Sequence, residues 1–407
     1  MRALAVVLLA AACAACSSAA AAEPTATSPL QRELTGLVVR MERVHPDLYH
    51  SVTRERLRAE VAALAQRAPS LSRPELVVGL MRVVGLLGER DGHSGLYPLD
   101  PHHPRTLHAY PLKLYSFPDG LYVIDAADRA LVGARLTAIE GVPAEDVVAR
   151  VRPLMTRDNE STIQMRLPGF VVGEEVLAGL GIGDGGPARF AFADGRAVTL
   201  RPMTVAAYVS RFRFEWQVSR PSGRQPLWLQ RQDVPQWLRT IDRGRAVYLG
   251  YHHVTGGAYT TAERLVRLAG RPQVRRVVVD VRMNGGGDNT TYGPLVEALG
   301  RPAIGRKAVV LTGRVTFSAA ANFVAEVEGR TRARLIGEPT GGAPNQWGDN
   351  TVIELPVAGL ALRLANQYVV VTDEKDVRVT IQPDVRVELT AADFFAGRDP
   401  VLARALR

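Results

Sequence analysis

The chain has 407 residues and a formal net charge of +9, long enough for two or three domains around sizeable cores. Its only two cysteines, Cys13 and Cys16, sit at the extreme N-terminus, which excludes a disulfide scaffold, a thiolate metal site and a cysteine nucleophile from everything downstream. The basic excess does not call for nucleic acid, because arginines are spread along the chain beside acidic residues with no aromatic-interleaved cluster.

In chain order, Arg2 precedes the apolar run LAVVLLAAACAAC, which has signal-peptide rather than bilayer-spanning length. Ala-Ala-Cys occurs twice there, and SSAAAAEPTATSP follows as a tether. The pattern resembles a bacterial lipoprotein signal, with Cys16, or else Cys13, as the lipidated first mature residue. Signal cleavage without lipid is the rival reading. Both imply an exported protein, and the first implies a membrane anchor.

From residue 29 to about 90, apolar residues return every three or four positions in PLQRELTGLVVRMERV, RERLRAEVAALAQRA and SRPELVVGLMRVVGLLG, predicting an antiparallel helical cap. ERDGHSGLYPLD then demands a turn around His93. AYPLKLYSF, GLYVIDA and ARLTAIEGV predict short strands, with EDVVARVRPLM as one helix, so the middle region reads as β-rich. From residue 245, apolar strands such as RAVYLGYHHV, RRVVVDVR, KAVVLTG and ARLIGEPT alternate with amphipathic helices, predicting a sheet buried on both faces. LALRLANQYVVVT and VRVTIQPDVRVE predict further strands in the tail.

Three segments stand at strand ends, where α/β folds gather their sites. In VVVDVRMNGGGDN, Asn284 and the triplet Gly285, Gly286 and Gly287 leave backbone N–H groups free to approach an oxyanion. A simple tight turn competes with that reading, and the spacing fits neither a dinucleotide nor a phosphate loop. In GRVTFSAAANFVAEVEG, Ser318 stands at a predicted helix start, where a nucleophilic hydroxyl and an ordinary N-cap are both open. LIGEPTGGAPNQWG carries Glu338, Gly341 and Gly342, either shaping a pocket or turning the chain. The pairs His252–His253 and His102–His103 lack any metal-site pattern with a third ligand and read as cleft lining and exposed loop. No metal or cofactor is called for.

Together and in this order, DGHSG, DVRMNGGG, TFSAA, IGEPTGG and IQPDVRVE resemble the S41-type serine peptidases, the family of tail-specific processing proteases, tricorn core proteases and interphotoreceptor retinoid-binding protein repeats. The resemblance implies a crotonase- or ClpP-like α/β core and a reduced PDZ-like region. Its domain plan is a signal and tether over 1–28, a helical cap over 29–92, the β-rich PDZ-like region over 93–205, a connecting segment over 206–244 and the catalytic core over 245–407. Some members use a serine–lysine dyad, but Ala343 stands near the expected lysine and none occurs between Lys307 and Lys375. Others use serine, histidine and an acid. That arrangement maps the nucleophile to Ser318, the base to His93, and the acid to Asp376, with Glu374, Asp373 and Glu338 as alternatives. Gly285 and Ala319 become the oxyanion donors, and Asn284, Gly286, Gly341 and Gly342 the substrate cleft. The implied activity is hydrolysis of a peptide or protein substrate through an acyl-enzyme. A serine esterase and a non-catalytic carrier of apolar ligands are the alternatives, and pocket shape discriminates among them.

Overall fold

The computed structural model describes residues 27–100, 106–213, 218, 220, 223 and 225–407. Cys13, Cys16, His102 and His103 therefore lie outside the described residues. The fold is mixed α/β. Its centre is a six-stranded sheet in the order Val385–Arg386, Arg334–Gly337, Ala308–Thr312, Arg276–Asp280, Ala246–Tyr251, Gln236–Ile241. Neighbours are parallel except at the Gln236–Ile241 edge, which is antiparallel.

Both faces of this sheet are covered, which is why its strands read as uninterrupted apolar runs. Val247, Leu249, Val277, Val279 and Val310 point toward the helices Ala258–Ala269, Gly293–Gly300 and Ala319–Arg330. Tyr248, Val278, Val309 and Leu311 point the other way, against Trp237 and the C-terminal helix Pro400–Ala405.

The N-terminal segment forms four helices, Pro29–Thr35, Leu37–Val44, Arg54–Arg67 and Arg73–Gly85. Ser28 and Ser72 close capping boxes with Gln31 and Glu75, and Thr53 caps the third helix. The second helix stops at His45, whose backbone turns extended because Pro46 disfavours helical geometry in the residue before it.

Two parts depart from the expectation. The middle region holds the expected hairpin Leu112–Phe117/Gly120–Ala126 and helix Ala144–Val151, but also the helices Glu160–Val171 and Glu174–Gly179. Asn159 caps the first of these with its side chain and Pro168 lies inside it, buried, so tertiary packing overrides the local signal for a break. In the tail, the hairpin Thr351–Leu355/Leu360–Leu364 does not extend the central sheet. Ile353, Leu355, Leu360, Leu362 and Leu364 join the core of the N-terminal helices instead. Of VRVTIQPDVRVE, only Val385–Arg386 pairs with the sheet. Among the described residues no helix is long and apolar enough to cross a membrane.

Because Leu362 is fully buried in that shared core, Leu362→Ala is expected to lower stability by about 2–5 kcal/mol. Val357→Asp, at a position 54% exposed, is expected to change it by less than about 0.5 kcal/mol. Urea unfolding followed by circular dichroism measures both.

Candidate active site

Ser318 lies where the chain leaves the Ala308–Thr312 strand and enters the Ala319–Arg330 helix. Its backbone has φ 51° and ψ −133°, a left-handed conformation that costs a non-glycine residue about 1–3 kcal/mol. The hydroxyl makes no capping hydrogen bond, so the N-cap role that competes for a serine at this place is not the one it plays. The turn is braced: Gln346 Nε2 donates to the Ser318 carbonyl at 3.1 Å, and Asn322 Nδ2 donates to the Pro344 carbonyl at 3.1 Å.

Glycines let the surrounding backbone close on this serine. A Cβ on Gly286 would stand 2.6 Å from Ser318 Cβ and 3.1 Å from both Ser318 Oγ and Ala319 N, and Gly286 itself has φ 117°. A Cβ on Gly341 would strike the Arg314 carbonyl at 2.1 Å, and one on Gly342 would meet Ala321 Cβ at 2.8 Å. Gly341 and Gly342 thus support the turn from behind; they do not line the cleft, because their backbone is buried against residues 314–321. Asn284 is likewise a brace rather than a cleft residue. It is fully buried, donates through Nδ2 to the Tyr251 carbonyl at 3.0 Å and accepts the Gly286 N–H at 3.0 Å. Gly285, by contrast, is exposed on the cavity wall.

His93 arrives from the loop after the fourth helix and stacks on Phe317, the residue before Ser318, with ring centroids 4.5 Å apart. Both ring nitrogens are buried without a hydrogen-bond partner among the described residues. Burial and then the charge of Arg166 push its pKa down to about 4, against the opposing carboxylates of Asp91 and Asp349, so the ring is neutral and in its basic form at pH 7. The loop is held by residues that no motif advertised. Asp158 Oδ1 accepts the Gly92 N–H at 2.8 Å, and the Arg166 guanidinium donates to the Gly92 carbonyl. Arg166 also lies over the Tyr97 and Phe317 rings, at 4.6 and 5.5 Å from their centroids. Asp91 Oδ1 accepts the Ser94 N–H at 3.0 Å. Asp158 and Arg166 reach the site from a helix start and a helix interior, about 65–75 residues along the chain from His93, a distance over which sequence periodicity carries no pairing information.

His93 and Phe317 border a cavity of about 660 Å³ whose walls include Leu99, Met165, Met283 and Val315 together with Arg166, His252 and His253. None of the acids assigned from the sequence meets His93 there. Asp376 is paired with Arg378 at 2.8 Å and with the Thr372 hydroxyl at 3.1 Å. Glu374 is exposed, and the Asp373 carboxylate accepts the Lys375 N–H. Glu338 is locked in a two-pronged pair with Arg314, at 2.9 Å for each contact. The physical reason is the same for Asp376 and Glu338: an arginine close by has already taken the carboxylate.

Residues 289–387 match peptidase family S41, a span that holds TFSAA and IGEPTGG. That stretch is similar to S41 serine peptidases. No curated protein sequence matches the chain. Among solved structures it is similar to mature CPAF, 13% identical over 91% of this chain and 95% of that one with a TM-score of 0.55. It is also similar to mature CPAF complexed with lactacystin, 13% identical over 91% and 96% with a TM-score of 0.58. The photosystem II D1 C-terminal processing protease is 12% identical over 92% and 99%, with a TM-score of 0.42. The two CPAF structures share the fold across 91% of this chain, including the parts outside the family match.

Two outcomes are expected of this geometry. Gly286→Ala should lower kcat/KM by at least about 100-fold, because its methyl group would occupy the space in front of Ser318 and Ala319 where an oxyanion would sit; steady-state peptide hydrolysis measures it. Asp158 has its pKa pushed up to about 7, chiefly by burial. A carboxyl group whose folded pKa exceeds its unfolded one disfavours folding progressively as pH rises between the two. Asp158→Asn is therefore expected to flatten the loss of stability between pH 4 and about pH 7, read from urea unfolding at several pH values.

Proposed function

We propose that the protein is an exported peptidase in which Ser318 is the nucleophile and His93 the general base. The observation that carries this reading is the strained Ser318, whose hydroxyl serves no capping bond and which directly follows the phenyl ring on which His93 stacks. Strain at a non-glycine residue is retained where surrounding structure over-determines it and function uses it.

In this mechanism His93 takes the Ser318 proton as Oγ attacks the substrate carbonyl, and then returns it to the departing amine. Ala319 N–H, at the start of the Ala319–Arg330 helix, and Gly285 N–H receive the negative charge on the carbonyl oxygen. Water, deprotonated by the same imidazole, releases the acyl group. Among the described residues no lysine lines the cavity, which favours histidine over a lysine base. Asp91 and Asp349 supply negative charge that favours the imidazolium, the electrostatic part of an acid's role. The apolar side chains of Leu99, Met165, Met283 and Val315 suit an apolar residue of the substrate beside the scissile bond.

The same reading assigns the six-stranded sheet with its helices to a crotonase-like core. The reduced PDZ-like region is the four-stranded sheet of Val142–Pro143, Leu136–Ile139, Ala188–Phe192 and Ala197–Leu200 with the helix Ala144–Val151. Export through the N-terminal signal, with lipidation at Cys16 or Cys13, belongs to this proposal.

Purified protein treated with a serine-directed phosphonate should be labelled, Ser318→Ala should lose labelling altogether, and His93→Ala should label at least about 1000-fold more slowly. Labelling that persists in both variants would refute the assignment.

A further inference from the structure

Beside the cleft, three side chains converge on one buried point. His45, at the end of the second helix, His50, five residues on, and Asp91, in the loop that carries His93, place His45 Nε2, His50 Nε2 and Asp91 Oδ2 within 4.8 Å of one another. His45 Nε2 is 3.3 Å and His50 Nε2 3.9 Å from Asp91 Oδ2, with the side chains of His45 and Asp91 wholly buried and that of His50 at 9% exposure. None of the three atoms has a well-formed hydrogen bond among the described residues. Orphaned polar atoms at this depth are uncommon, and three meeting at one place point to a missing partner.

Proton accounting shows what kind of partner. The Ser51 hydroxyl lies 3.0 Å from the Glu89 carbonyl and 2.8 Å from His50 Nδ1; when its single proton goes to the carbonyl, the ring donates from Nδ1. In that tautomer of the neutral ring, His50 Nε2 is a bare lone pair facing a carboxylate oxygen, two acceptors with nothing between them. A cation fills such a gap.

We propose that His45, His50 and Asp91 bind one zinc ion or a chemically similar first-row divalent cation, tying the N-terminal helices to the loop before His93. Two imidazoles and a carboxylate are zinc-type donors, and the edges of a tetrahedron with zinc–ligand bonds near 2.0–2.1 Å are about 3.3 Å, which the His45–Asp91 separation of 3.3 Å matches and the His50–Asp91 separation of 3.9 Å exceeds, so His50 closes in on binding. A water completes four-coordination. The His50–Ser51–Glu89 relay fixes the ring with Nε2 presented, as the outer partners of metal-bound histidines do. His45 pays a small cost: its Nδ1 accepts the Asp47 N–H at 3.2 Å, and that long contact is given up when binding moves the ring proton from Nε2 to Nδ1. Trp347 packs on both rings, at 4.7 Å from His45 and 5.4 Å from His50, and encloses the site.

The test is calorimetric titration of zinc into chelator-treated protein. One equivalent should bind, the melting temperature should rise, and His50→Ala should weaken binding by at least about 100-fold. Cobalt(II) added to the unmodified protein should give the strong visible absorption of a tetrahedral site, a readout that does not depend on any variant folding. Absence of saturable binding, a weak octahedral cobalt spectrum, or equal affinity in His50→Ala, which would move the metal to His108, Glu174 and Glu175 or elsewhere, would each overturn the proposal. None of these outcomes bears on phosphonate labelling of Ser318.

Discussion

The close approach of bare backbone around Ser318 is the constraint on which the site depends. Gly286 in front, and Gly341 and Gly342 behind, leave no room for a single methyl group, and only because that room is absent can the serine be held in a left-handed conformation that its own side chain opposes. Gln346 and Asn322 then tie the strained turn to the polypeptide that follows. The central sheet supplies the rigidity: the glycine triplet follows the Arg276–Asp280 strand, Ser318 follows its neighbour Ala308–Thr312, and Gly341 and Gly342 follow the next strand, Arg334–Gly337. Three adjacent parallel strands thus deliver three loops to one end of the sheet.

The histidine comes from outside that sheet and needs a separate support. Gly92 is gripped on both sides, its N–H by Asp158 and its carbonyl by Arg166, while Asp91 and Ser94 close the turn around His93. The helix that carries Arg166 begins at Asn159, whose amide donates to the Thr340, Gly341 and Val379 carbonyls. One helix start therefore couples the loop bearing His93 to the loop beneath Ser318. The hairpin Thr351–Leu355/Leu360–Leu364, packed into the core of the N-terminal helices, makes a second link, since Gly95 pairs with Arg363 across it.

Much of this was legible in the residues alone. Uninterrupted apolar strands announced a sheet covered on both faces, and the capping serines and prolines placed the N-terminal helices. Glycine clusters beside a serine at a strand end marked the place where backbone and hydroxyl meet. The helix Glu160–Val171 was not legible, because Pro168 signals a break that only its burial overrides. The partners of the acids were not legible for a related reason. Asp376 and Glu338 have the right charge in the right stretch of sequence, but Arg378 and Arg314 claim them, and that competition is settled by side-chain geometry.

The sequence by itself determined which chemistry is absent: with no cysteine after Cys16 and no lysine between Lys307 and Lys375, a thiol nucleophile is excluded from the body of the chain and a lysine from the stretch that follows Ser318. Local patterning also determined which segments would be helix and which buried strand, since periodicity and capping act over a few residues. Tertiary structure alone decided which side chains meet. Asp158 and Arg166 at Gly92, or His45 and His50 at Asp91, are separated by roughly 40–75 residues of chain. Their encounter is set by how the helices pack, a property of the whole fold that no local pattern encodes.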